Sequence, residues 1–297
     1  MKLQEFKRCW KSKLNILIAV FMSIPIIVAI GEDIYYRNWL INFIDEVAAQ
    51  GYDITWYQGQ LEGMNGLYLF ERLFIAHTGT VFFSYVVFVI GVGINISANL
   101  FSALKTGYGI TIVTRMLYKQ YLFNTILAQF LYIVTYLASI FLIILTILLI
   151  LGGGAIQTPG MSALSFDGEM ALPLYLLTLF LFTIYVIICK AILILVASLS
   201  YVYLKNKYII QSLPVAFFVG VYVIAFLIGS INDTFATITT ALIYEQAHFS
   251  LVSLFSHVHS SGNRDIIYAA AYPLLLFGIM FLFYKQNIKK YCRDYLA

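Results

Sequence analysis

At 297 residues, of which 62% are hydrophobic and only 11% charged, the chain lies far from soluble domains, which carry about 45–50% apolar and about 25% charged residues. The composition excludes a soluble globular domain and makes lipid the expected solvent, so that the distribution of charge matters more than its formal sum of +4. Five prolines and the absence of polar low-complexity stretches predict a single membrane domain over residues 1–297.

Residues 1–13 place Leu3, Phe6 and Trp10 at helical spacing, with Lys2, Lys7, Arg8, Lys11 and Lys13 around them. This is the pattern of a helix lying in the headgroup layer, apolar side in lipid and basic residues toward anionic headgroups. The basic start followed by an apolar run mimics a signal peptide, but residues 26–31 offer no convincing small-residue cleavage site, and the run is read as a first span. Cys9, Cys189 and Cys292 fall in segments assigned to the membrane or the inside and imply no disulfide framework.

A spanning helix needs about 20 apolar residues. Six stretches qualify: residues 14–31, 78–100, 121–151, 173–203, 208–230 and 266–284. An even number places both termini on one side, and Lys and Arg accumulate in cytoplasmic loops. With the termini inside, the five N-terminal bases, Lys105, Arg115, Lys119, Lys205, Lys207, Lys285, Lys289, Lys290 and Arg293 are cytoplasmic, while only Arg37, Arg72 and Arg264 lie outside. All acids except Glu5 and Asp294 are then external. The predicted fold is an all-α polytopic membrane protein with six transmembrane helices and both termini cytoplasmic.

The outer loop 32–77 interleaves Glu32, Asp33, Asp45, Glu46, Asp53, Glu62 and Glu71 with Tyr35, Tyr36, Trp39, Tyr52, Trp56 and Tyr57. It could trap cationic substrate, or form a small helical cap with interfacial aromatics; the cap is the expectation. Gly152-Gly153-Gly154 lacks the Lys-Ser or Lys-Thr of a phosphate cradle. Residues 235–258 are apolar but split near Glu245 into pieces too short to cross, which predicts an external re-entrant hairpin. Glu245, His248, His257 and His259 lack the spacing of a zinc site and are read as interfacial, with no metal. Lys190 lies deep inside the fourth span, about 20 Å along the helix from the cytoplasmic bases. It must face a structural partner or line a pathway; Lys190 and Glu245 are the candidate pathway residues.

The segment 101–120 carries Lys105, Arg115 and Lys119 and no acid. Within it Gly107-Tyr108-Gly109 opens a run in which Ile110, Val113, Thr114 and Leu117 share one helical face. Elsewhere no His-Glu-x-x-His, Gly-x-Ser-x-Gly, Cys-x-x-Cys or Walker A sequence occurs, so no catalytic residue is expected.

The basic amphipathic N-terminus, the six apolar stretches, the split segment before the last and the run from Lys105 through Gly107, Gly109 and Arg115 to Lys119 together resemble the membrane subunit of a type-2 ATP-binding-cassette exporter. Many members carry an acid just before the glycine, where this chain has Lys105 and Thr106. The resemblance implies that 1–13 is the interfacial connecting helix and that residues 110–117 form a coupling helix seated in a separate ATPase subunit. ATP and magnesium would then bind on that subunit and no cofactor on this chain, while a second permease copy or paralogue completes the pathway. Within the family, a compact chain with 23 Tyr and 24 Phe is similar to bacterial exporters of antimicrobial or cytolytic peptides, including phenol-soluble modulin exporters. The expected partners are ATPase, second permease, membrane lipid and amphipathic peptide, with no nucleic acid. The alternatives are a multidrug or lipid-linked glycan exporter of the same family, or a non-transporting immunity protein or lipid-modifying enzyme using His257, His259 and Asp265.

Overall fold

The computed structural model describes residues 2–75, 78–105, 117–152, 171–204, 206–229 and 264–296, and every element among them is helical. In chain order these are α1 (Lys2–Trp10), α2 (Leu14–Ala49), α3 (Thr55–Gly63), α4 (Gly66–Ile75), α5 (Thr78–Val92), a π-helical turn (Gly93–Ser97), α6 (Asn99–Lys105), α7 (Tyr118–Leu151), α8 (Leu172–Leu199) with a 3₁₀ turn (Ser200–Val202), α9 (Lys207–Gly229) and α10 (Arg264–Leu296).

Four of the described stretches are long and apolar enough to cross a bilayer: α2, residues 84–102, α7 and residues 172–202. They mark the chain as a membrane protein. The helices α9 and α10 occupy the places of the fifth and sixth expected spans. The hairpin expected at 235–258 and the coupling helix at 110–117, except Leu117, lie outside the described residues.

The helix that contains the first expected span is longer than that span. Glu32 and Asp33 end the apolar run of 14–31, but the helix continues as one element to Ala49. Lipid tolerance and helical continuity are separate properties, and the periodicity persists past the charges: Asp33, Leu40 and Ile44 are buried on one face. The helix stops where Gly51 adopts φ 76°, a left-handed turn open to glycine without strain. At 36 residues α2 is about 54 Å long, against a hydrocarbon thickness of about 30 Å, and the usual tilt of up to about 40° does not absorb the excess. One end of α2 therefore projects.

Beside the C-terminal part of α2 sit α3 and α4, so the stretch expected to form a helical cap is helical. Asp53 opens α3 by accepting the Thr55 N–H at 2.9 Å and the Thr55 hydroxyl, which holds its carboxyl below the usual range. Asn65 caps α4, accepting the Tyr68 N–H at 3.0 Å. The start of α4 meets the end of α7 through a glycine pair. A Cβ on Gly66 would strike the Leu148 and Leu149 backbone, and one on Gly152 would strike Gly66 and Asn65. Tyr175 of α8 reaches across to donate to Glu71 at 2.8 Å, so the buried carboxylate of α4 is tied to the bundle.

The bundle is organised around α8, in which every residue from Cys189 to Leu199 is buried. It packs against α7, α9, α10 and the π turn. The antiparallel pair α2 and α5 approaches closely where Gly91 leaves room for Ile18, and Ser84 donates to the Met22 carbonyl at 3.2 Å. At the end that carries the N-terminus, α10 closes the last turn of α8: Asn287 donates to Leu199 O at 3.0 Å and Lys290 to Val202 O at 2.7 Å. Orphan carbonyls at a helix C-terminus favour such donors, and the cation also suits the dipole.

Candidate functional site

The N-terminal helix α1 forms as expected, with Phe6 and Trp10 stacked at 5.9 Å. Its apolar side, however, meets protein: Trp10 lies edge-on to Tyr132 and Tyr136 of α7, at 6.3 and 6.1 Å. Trp10 remains 42% exposed, so one ring serves both the bundle and the outer environment. Cys9 is buried, which pushes its thiol up to about 11. Lys7, Arg8 and Lys11 are exposed, and Arg8 pairs with Glu5 at 2.8 Å; such a surface pair contributes little.

What fixes α1 is Asn15, the second residue of α2. Its side-chain amide donates to the Cys9 and Trp10 carbonyls, both at 2.9 Å, closing the C-terminus of α1. Its Oδ1 accepts from the Tyr132 hydroxyl and, at 3.4 Å, from Asn95. Asn95 also donates to Tyr132 Oη at 3.2 Å, and Tyr136 donates to the Asn15 carbonyl. Four elements, α1, α2, the π turn and α7, thus share one buried polar knot.

The π turn extends the knot into a seam. A turn with i→i+5 geometry displaces carbonyls from the regular ladder, and two of them take side-chain donors from other helices: Gln211 of α9 reaches Ile94 O at 3.0 Å and Gln129 of α7 reaches Ile96 O at 3.4 Å. Ser198 of α8 donates to Gln129 Oε1 at 3.1 Å. Gly93 permits the approach of α9, since a Cβ there would crowd Pro214 and the Gln211 carbonyl. The seam therefore ties α9 and α8 to the same turn that binds α2 and α7.

Lys190 lies eight residues before Ser198 on α8, about 12 Å along the helix, and is 1% exposed. Two aromatic faces meet its ammonium: Tyr85 of α5 at 4.4 Å and Phe218 of α9 at 4.1 Å. Ring quadrupoles attract a cation most strongly when water is excluded. The side chain thus joins the three helices α5, α8 and α9 at mid-bundle.

Lys105 ends α6 exposed, its ammonium 5.7 Å from the Phe101 ring, and Lys119 is exposed in the first turn of α7. Gly107, Gly109, Ile110, Val113, Thr114, Arg115 and Glu245 lie outside the described residues. Among the described residues no group of three or more His, Cys, Asp or Glu could hold a metal ion. Comparison with known protein families, curated proteins and solved structures finds no match for this chain.

Sequence reading missed the seam. A signal was present, because Asn15, Asn95, Gln129 and Ser198 are polar residues inside apolar runs, and such residues face the bundle interior by default. The π turn left no comparable trace.

Proposed function

We propose that this chain is the permease subunit of an ATP-driven exporter of amphipathic or antimicrobial peptides in a bacterial cytoplasmic membrane. In this reading it has six spans and cytoplasmic termini, and a separate ATPase subunit binds ATP and magnesium. The observation that carries the proposal is the linkage around segment 106–116. Asn95 stands ten residues before Lys105, and Gln129 ten after Lys119; both belong to the seam that binds α1, α2, α7, α8 and α9 to the π turn.

A push on the segment between Lys105 and Lys119 is therefore delivered to two flanking helices that are hydrogen-bonded together, so the load passes into the bundle as a unit. The basic helix α1, seated on α7 beside them, supplies the second cytoplasmic contact with lipid headgroups. Ile110 to Leu117 form the coupling helix in this reading, with Arg115 and Lys119 meeting the ATPase and Gly107 and Gly109 permitting the tight turn into it. Closure of two ATPase subunits draws two such segments together and switches access between the two sides.

The test is co-purification of a soluble ATPase subunit with the full chain from its native membrane. Arg115→Glu, or an insertion at Gly109, is expected to release it while the permease stays folded. Transport lost with the ATPase still bound would remove the coupling assignment. ATPase activity that ignored amphipathic peptides and rose with sugars or small drugs would replace the peptide cargo by the multidrug or glycan reading.

A further inference from the structure

The projecting part of α2 carries a surface that the exporter reading leaves without a role. Residues 32, 36, 39, 43 and 46 follow the alternating four- and three-residue spacing that keeps side chains on one helical stripe. They read Glu32, Tyr36, Trp39, Phe43, Glu46: three aromatics with an acid at each end. Tyr36 and Trp39 stack at 5.7 Å, and Trp39 and Phe43 at 5.0 Å. The ladder then crosses to α3, where Tyr57 meets Phe43 at 5.1 Å and Trp56 at 4.9 Å. Tyr36 and Tyr57 pack on the small core of Leu40, Ile44 and Met64, whereas Trp39 is 45% and Trp56 56% exposed.

The rings are thus held by their neighbours before any ligand arrives, which lowers the ordering cost of binding. Charge selects the ligand. Glu32 and Glu46 on the stripe and Asp53 before α3 are exposed, while Arg37, the only base between residues 32 and 71, shares the other side of α2 with Asp45. An anionic headgroup layer is repelled by these carboxylates. A helix with Lys or Arg beside apolar residues gains twice, from the carboxylates and from cation–π contact with the rings. The stripe from Glu32 to Glu46 is about 21 Å long, close to four turns of helix.

We propose that the α2–α3 aromatic stripe is a docking surface for a cationic amphipathic helical peptide. Its placement on the outer side rests on the proposed topology, where it would receive exported peptide or capture it from outside. Binding itself does not depend on that topology or on ATP.

The test uses the full chain in nanodiscs of phosphatidylcholine, which leave both faces accessible, so failure here is distinguishable from failure of ATPase co-purification. The probe is a fluorescently labelled model helix of Leu and Lys, with a Leu and Glu helix as control. Saturable binding of the Lys peptide is expected, weakened by salt and absent for the Glu peptide. Trp39→Ala with Phe43→Ala is expected to weaken it about tenfold. Glu32→Gln with Glu46→Gln, a pair that keeps size and helix, is expected to reduce affinity and its salt dependence.

Equal binding to empty nanodiscs, or unchanged binding by both variant pairs, would overturn the proposal. Two further results would do the same. In a Trp10→Phe/Trp56→Phe background that leaves Trp39 as the reporter, quenching by brominated lipid would place the stripe in the bilayer. Conversion of a dimeric particle to a monomeric one by the stripe variants would make it a contact between copies of the chain.

Discussion

Two buried polar sites lie on the same helix, eight residues apart, and are solved in different ways. At Ser198 the solution is a chain of neutral hydrogen bonds running through Gln129 to the Ile96 carbonyl, with Asn15, Asn95 and Tyr132 nearby on the same π-turn axis. At Lys190 the ammonium is met by the faces of Tyr85 and Phe218. Hydrogen bonds are directional, so the seam fixes how α1, α2, α7, α8 and α9 sit relative to one another. A ring face attracts a cation over a broad area, so the Lys190 contact tolerates sliding of α5 and α9. One site sets geometry and the other permits movement around it.

The most damaging test reverses the charge at the tolerant site. Lys190→Glu sets a carboxylate against two ring faces that carry negative quadrupole, and leaves a charge buried without compensation, about 3–5 kcal/mol. No folded protein is expected in a detergent extract, read by gel filtration. A monodisperse Lys190→Glu protein would mean that the site is wet and that the contrast with the seam is false.

Next comes the centre of the seam. Asn15→Leu preserves approximate volume but removes both donors that close α1 and the acceptor used by Tyr132 and Asn95. Hydrogen bonds within membrane proteins average about 0.6 kcal/mol, and losing this set should cost about 2 kcal/mol in thermal or denaturant unfolding. Cys9 reports the same event. With its thiol raised from 9.0 to about 11, the thiolate fraction at pH 8 is about a hundredfold lower than for a free thiol. Alkylation in a Cys292→Ser background is therefore expected to be slow in the parent and at least about tenfold faster in Asn15→Leu. Raising the pH toward 11 should speed the parent reaction, since it populates the thiolate.

A smaller effect is expected from Gln211→Leu. It removes one bond to the π turn, at Ile94 O, and should cost about 0.6 kcal/mol. A loss as large as that of Asn15→Leu would show that the seam is no stronger at its centre than at α9.

Much of the helical layout was legible because lipid imposes a simple rule: long apolar runs must satisfy their own backbone. Residues 121–151 and 173–203 agree with α7 and α8 to within a few residues at each end. The helix α1 was legible from Leu3, Phe6 and Trp10, but its seat was not, because Tyr132 and Tyr136 are more than 120 residues away in sequence. The continuation of α2 past Glu32 was not legible, because charge there marks a change of solvent and not of backbone. Lys190 stood out as a buried cation, yet Tyr85 and Phe218 carry no sequence sign that distinguishes them from the other aromatics. Long-range side-chain pairing is set by helix packing and has no local periodicity to reveal it.

The smallest expected effect is also the sharpest test of the comparison. Lys190→Met keeps an unbranched, flexible side chain of nearly the same length and removes the charge with its N–H donors. Burial of an ammonium costs several kcal/mol, while two desolvated cation–π contacts return about 2 kcal/mol each. Removing both sides of that balance leaves little net change. A methionine sulfur between two rings also makes contacts worth about 0.3–1.5 kcal/mol. The unfolding midpoint of Lys190→Met should therefore equal or exceed that of the parent, in contrast with Asn15→Leu. A loss above about 2 kcal/mol would show that the ammonium is a structural clamp comparable to the seam. With stability retained, and with the proposed ATPase partner in hand, loss of peptide-stimulated ATPase activity would assign the charge to function, because a residue kept only for packing would not move that readout.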